Sequence, residues 1–114
     1  MNKVAAKKAY KETRRTMGVY AIKNSANNKV YVGFSTDVQA MINRHKAELN
    51  FGSHRNTELM SEWRLFGELS FEFGILDELE YDENAQTNSV EELRTLHEMW
   101  MRKIEETEDL VRKL

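Results

Sequence analysis

The chain predicts a small α+β domain: a three-stranded sheet flanked by helices, in the order (α)ββααβα. Three observations predict it. Two short β-prone runs flank a polar turn, apolar residues recur at helical spacing in three later segments, and one run between the helices alternates with period two. With 114 residues, 40% hydrophobic and 32% charged, the chain can fill one core and form one domain.

Residues 1–17 hold Lys3, Lys7, Lys8, Lys11, Arg14 and Arg15 against a single acid, Glu12. Alanines and long basic side chains favour helix, but the apolar face of Val4, Ala5 and Ala9 is thin. The segment reads as a marginal helix or a basic arm, and Gly18 opens the domain proper, 18–114. Val19-Tyr20-Ala21-Ile22 and Val30-Tyr31-Val32-Gly33 are the first two strands. Lys23–Lys29 joins them with the Asn and Ser residues that populate turns.

Ser35 or Thr36 can cap the next helix, with Asp37 in its first turn. Val38, Met41, Ile42, His45 and Leu49 mark its buried stripe. Phe51-Gly52-Ser53 ends it, and His54-Arg55-Asn56 leads to a second helix with Leu59, Trp63 and Phe66 inward, closed by Gly67. Phe71, Phe73 and Ile75 then alternate as a half-buried strand. After an acidic loop over 80–88, Ser89-Val90-Glu91-Glu92 has the form of a capping box. The helix it opens is expected to run to the C-terminus, with Val90, Leu93, Leu96, Trp100, Ile104 and Leu110 on one stripe.

Composition excludes several classes of function. Without cysteine there are no disulfides, thiolate zinc sites or cysteine nucleophiles, which suits a cytoplasmic location. No apolar run approaches the roughly 18 residues of a membrane span, so no membrane partner is expected. The formal charge of −2 hides a balance of +7 over residues 1–64 and −9 over 65–114. A positive half can attract a polyanion, although on charge alone internal pairing of the halves is the simpler reading.

Gly18-Val19-Tyr20 and Tyr31-Val32-Gly33, at hairpin spacing, resemble the two tripeptides that name the GIY-YIG nuclease family. The resemblance continues through Asn43-Arg44-His45-Lys46, Gly52-Ser53-His54, Glu62-Trp63, Phe66-Gly67 and Phe71-Glu72-Phe73. It implies a three-stranded antiparallel sheet flanked by helices and, usually, DNA cleavage. It also implies roles. The hairpin tyrosines sit near the scissile phosphate, one as base for water, and a first-helix arginine contacts the phosphate. A last-helix glutamate binds one divalent metal, Mg or Mn, and a histidine after the first helix assists. Phosphodiester hydrolysis calls for these types: a deprotonated nucleophile, positive charge on the non-bridging oxygens and a hard cation on carboxylate oxygen.

Carried over residue by residue, Tyr20, Tyr31 and His54 keep their places as catalytic candidates. The arginine position falls on Met41. Arg44, one turn on, is a possible substitute, and Arg44 and Arg55 are the phosphate-binding candidates. The glutamate position, three before Trp100, falls on His97. Imidazole suits Zn or Mn better than Mg, and the adjacent Glu98 is turned about 100° around the helix. His97 and Glu98 are therefore the metal candidates.

Each of these residues also has an ordinary reading. The tyrosines pack in a hairpin, Met41 fills core, and His97 is a hydrogen-bonded core histidine. Two functions follow. The preferred one is a degenerate member that binds nucleic acid, DNA first, or a protein partner for targeting, with weak or no hydrolysis and no cofactor. The alternative is an active metal-dependent endonuclease with a rearranged site.

Overall fold

A computed structural model describes residues 16–79, 89–107 and 110–114. Strand β1 (Met17–Asn24) and strand β2 (Lys29–Ser35) form an antiparallel hairpin. Helix α1 (Val38–Phe51) and helix α2 (Thr57–Phe66) follow, then a short 3-10 turn, strand β3 (Phe71–Leu79), helix α3 (Ser89–Glu106) and strand β4 (Leu110–Lys113). The basic arm over 1–15 and the acidic loop over 80–88 lie outside the described residues.

The sheet corrects the sequence expectation. It has four strands in the order β3-β1-β2-β4, and β4 pairs parallel with β2. It is therefore mixed, not three-stranded and antiparallel, and α3 stops at Glu106 without reaching the C-terminus. The physical reason lies at both ends of 105–110. Acids at a helix C-terminus oppose its dipole, which disfavours continuing the helix. The outer edge of β2 offers unpaired backbone groups, and Leu110–Lys113 satisfies them in register with Lys29–Val32. Because β3 and β4 run in the same direction at opposite edges, α3 must cross the sheet between them.

Alternation along the hairpin divides the core into two layers. Val19, Ala21, Val30 and Val32 face α3, where Leu96, Trp100, Met101 and Ile104 pack on them. Tyr20, Ile22 and Tyr31 face α1 and α2, against Val38, Ile42, Leu49, Leu59 and Met60. The hairpin is thus buried on both sides, as an inner pair of strands must be.

Two helix details differ from expectation. Asp37 itself caps α1, accepting the Ala40 N–H at 3.2 Å, while Ser35 Oγ accepts the Asp37 N–H at 2.9 Å. On α2, Phe66 is exposed and Glu62 is buried with Leu59 and Met60. Asn56 caps α2 by accepting the Leu59 N–H at 3.0 Å. That cap holds the residue just after His54 and Arg55, which brings this loop beside α1.

Candidate active site

The two glycines of the hairpin tripeptides have separate steric duties. A Cβ on Gly18 would run into the Asp77 carbonyl of β3, next to a bulge where Leu76 is the extra residue between Tyr20 and Val19. A Cβ on Gly33 would lie 2.6 Å from Tyr20 Oη and 2.7 Å from its Cζ. The Tyr20 ring therefore lies directly across the Gly33 backbone, and only glycine leaves that space.

Lying there, Tyr20 reaches α1. Its hydroxyl is 2.7 Å from His45 Nε2, and His45 Nδ1 is 2.7 Å from His54 Nε2. His54 Nδ1 in turn accepts the backbone N–H of Asn56 at 3.1 Å. Burial pushes the Tyr20 hydroxyl up to about 12. Burial also pulls His45 down to about 4, with His54 and Arg44 adding to the effect and Glu48 opposing it. His54 is lowered too, by burial first and then by the Arg55 cation.

This line of side chains forms one wall of a cleft of about 390 Å³, which Gly33, Phe34, Met41, Arg44, Glu48, Arg55 and Leu114 complete. Of the sequence candidates, Tyr20, His54, Arg44, Arg55 and the substituted position Met41 meet here. Arg44 and Arg55 are exposed at its mouth, and Arg44 Nε pairs with Glu48 at 3.3 Å. The sequence places His45 on a buried helical stripe without singling it out as a site residue. Its signal was its place in the Asn43-Arg44-His45-Lys46 run, on the face that also carries Met41.

The remaining candidates lie elsewhere. Tyr31 is fully buried, and its hydroxyl donates to Glu62 of α2. The same carboxylate accepts from Asn24 at 2.9 Å and Asn27 at 3.0 Å, and pairs with Lys29 at 3.1 Å. Burial alone would raise Glu62, but the bonds from Tyr31, Asn24, Asn27 and Lys29 outweigh it and hold the group down at about 2. Burial and the Glu62 carboxylate raise Tyr31 far above the usual phenol range. Glu62 drew notice in the sequence only beside Trp63. Its burial depends on amides from a turn 35 and more residues away.

His97 is 1% exposed on α3. Its Nε2–H donates to the Val32 carbonyl at 2.8 Å, and its ring lies 5.2 Å from that of Phe34. Phe34 also lines the Tyr20 cleft, which His97 does not. Glu98 lines a separate groove with Thr95, Met99 and Arg102. Among the described residues, no three histidine, aspartate or glutamate side chains converge to hold a metal ion. In the cleft the carboxylate is Glu48, paired with Arg44.

The domain is thus an α+β fold whose mixed sheet has a leading hairpin that lays a tyrosine against helix and loop histidines, in an arginine-edged cleft. The sequence matches the GIY-YIG catalytic domain over residues 16–94, and the chain belongs to that family. It is 39% identical over 67 residues to Intron-associated endonuclease 1 of Enterobacteria phage T4. That match covers 59% of this chain and 27% of the relative, so the chain spans about a quarter of the relative's length. Among solved structures it is similar to the catalytic domain of homing endonuclease I-TevI. The TM-score is 0.65 at 29% identity, over 82% of this chain and 94% of that one. A mutant form of the same catalytic domain gives 0.66 at 28% identity, over 85% and 92%. Among the described residues no helix is long and apolar enough to cross a membrane.

Proposed function

We propose that this GIY-YIG domain binds nucleic acid, DNA in the first place, and hydrolyses it weakly or not at all. The observation that carries the reading is the state of the two charged family positions. Met41 lines the Tyr20 cleft without charge. His97 donates to the Val32 backbone carbonyl and lies against Phe34. Loss of one preorganised group that stabilises transition-state charge costs about 10²–10³ in rate. Loss of a metal carboxylate as well takes away the means of holding the cation. What persists is a cleft with Arg44 and Arg55 at its mouth and Tyr20 inside, suited to a phosphate backbone. The relatives are endonucleases by name, which supports a nucleic acid as the polymer.

The test is incubation of the full chain with supercoiled and branched DNA in Mg²⁺ or Mn²⁺, beside a binding titration across salt. Expected are retarded complexes whose affinity falls steeply with salt, without strand breaks. Breaks that disappear in Tyr20→Phe would overturn the reading. One observation favours the alternative, an active domain with a rearranged site: Arg44 shares the cleft with Tyr20 and His54. Under that reading Arg44→Ala abolishes cutting, whereas under ours it weakens binding only.

A further inference from the structure

We infer that strand β4 is a strap that holds the Tyr20 cleft closed, and that its lifting from β2 opens the cleft to a phosphate backbone. The inference rests on the nucleic-acid-binding reading and assigns that site its regulation. It starts from a conflict between position and access. Tyr20 lines the cleft yet is 2% exposed, and the two cleft histidines, His45 and His54, are 7% and 8% exposed. Part of their cover comes from β4. The strand runs parallel to β2 as far as Val32, and the next residue, Leu114, reaches the cleft wall. There Leu114 packs on the cluster of Tyr20, Val38 and Ile42 and on the neighbouring cluster around Tyr31.

This cover is lightly held. Strand β4 has four residues and lies at the sheet edge, with β2 as its neighbour. Leu110, Arg112 and Lys113 are exposed, and Val111 and Leu114 are half-buried. The Arg112–Glu58 pair that ties the strand to α2 is exposed at both ends. The Val32 carbonyl accepts the Leu114 N–H at 2.9 Å and also the His97 ring N–H at 2.8 Å, so it keeps a partner when the strap leaves. Short edge elements with few buried contacts open by local fluctuation at far lower cost than the core. A cleft open in a fraction of the molecules binds in proportion to that fraction, which makes the strap a brake on affinity.

The chain has no cysteine, so one engineered pair can lock the strap reversibly. Val30 and Val111 are register partners on adjacent strands, within the span that a disulfide bridges. The full chain carrying Val30→Cys and Val111→Cys is compared oxidised and reduced, beside full-chain Leu114→Ala, which removes the cover and leaves the strand. Modification of histidines by diethyl pyrocarbonate reads access, and titration of a short DNA duplex reads binding. On oxidation, His45 and His54 should react roughly tenfold more slowly and duplex affinity should fall by a similar factor, both restored on reduction. Leu114→Ala should speed both histidines and tighten binding by roughly fivefold, while His97, 1% exposed on α3, keeps its rate. Access to His45 and His54 that ignores both the lock and Leu114→Ala overturns the strap. Access that responds while duplex affinity does not overturns the inference and leaves the binding reading intact. Absence of duplex binding by both the reduced pair and Leu114→Ala overturns both.

Discussion

Tyr20 and Tyr31 leave neighbouring strands on the same face of the sheet and meet opposite chemistry. Tyr20 lies 2.7 Å from an α1 imidazole nitrogen and lines a cleft. Tyr31 gives its proton to an α2 carboxylate that also takes two amides and an ammonium. An ionised carboxylate can only accept, so Tyr31 is committed as a donor and an anchor, whereas an imidazole nitrogen can donate to Tyr20 or accept from it. Two residues that resemble each other in the motif thus divide into one set against a cleft imidazole and one bonded to a buried carboxylate. The division is made by the partners the helices bring to them.

The largest expected effect comes from breaking the anchored side. Glu62→Ala leaves the Tyr31 hydroxyl, the Asn24 and Asn27 amides and the Lys29 ammonium without their shared acceptor. Removing one partner of a buried charged set costs about 3–5 kcal/mol. Urea unfolding should show a loss of that order, while Tyr20→Phe, losing one neutral bond, costs about 0.5–1.5 kcal/mol. Equal losses would erase the distinction between the two tyrosines.

Acid should separate the two regions by pH. His45 is lowered from 6.5 to about 4, so between those values the unfolded chain takes up a proton that the folded chain refuses. Stability from this group is complete above pH 6.5 and is lost as pH falls toward 4. Glu62 is lowered from 4.5 to about 2, so its contribution is complete above pH 4.5 and is lost toward pH 2. Each window is worth at most about 3 kcal/mol. Denaturation midpoints against pH should therefore fall in two steps. Glu62→Gln should flatten the lower step alone, and His45→Gln the upper one.

A smaller effect, of about 1–3 kcal/mol, is expected from Gly33→Ala, which must push the Tyr20 ring aside. Its signature is local. Resonances of His45 and His54 should shift while those of Asn24 and Asn27 hold still. Movement on both sides would show that the regions are coupled through the hairpin.

Most of the architecture was legible because it is periodic. The hairpin runs, the α1 stripe, the alternating start of β3 and the Leu93–Trp100 stripe of α3 each repeat within a dozen residues. Strand β4 escaped because four residues after an acidic run carry no turn partner. Their mate, Lys29–Val32, lies about 80 residues back. Leu110, expected at the end of a helical stripe, sits in that strand at the sheet edge. The cleft was legible in part. Tyr20, His54, Arg44, Arg55 and Met41 follow from the family resemblance, but the contacts of His45 exist only once Tyr20 and His54 arrive, 25 and 9 residues away in the chain. Nor could spacing separate Tyr31 from Tyr20, since the Glu62 that commits Tyr31 belongs to another element.

The smallest effect marks where the anchored region ends. From Glu62 the ionic contacts continue through Lys29 to Glu58 at 3.3 Å, and from Glu58 to Arg112 of β4 at 3.2 Å. On this outer step the partners are 42% and 46% exposed, so water screens the pair and ordering two long side chains offsets much of its attraction. Strand β4 has other holds. Val111 packs on the α3 layer, Leu114 on the opposite one, and the Leu114 N–H donates to the Val32 carbonyl at 2.9 Å. Arg112→Ala should therefore cost no more than about 0.5–1 kcal/mol and should become silent in high salt. A salt-resistant loss above about 2 kcal/mol would extend the buried network to β4. The Tyr31 anchor would then secure the very strand whose Leu114 borders the Tyr20 cleft.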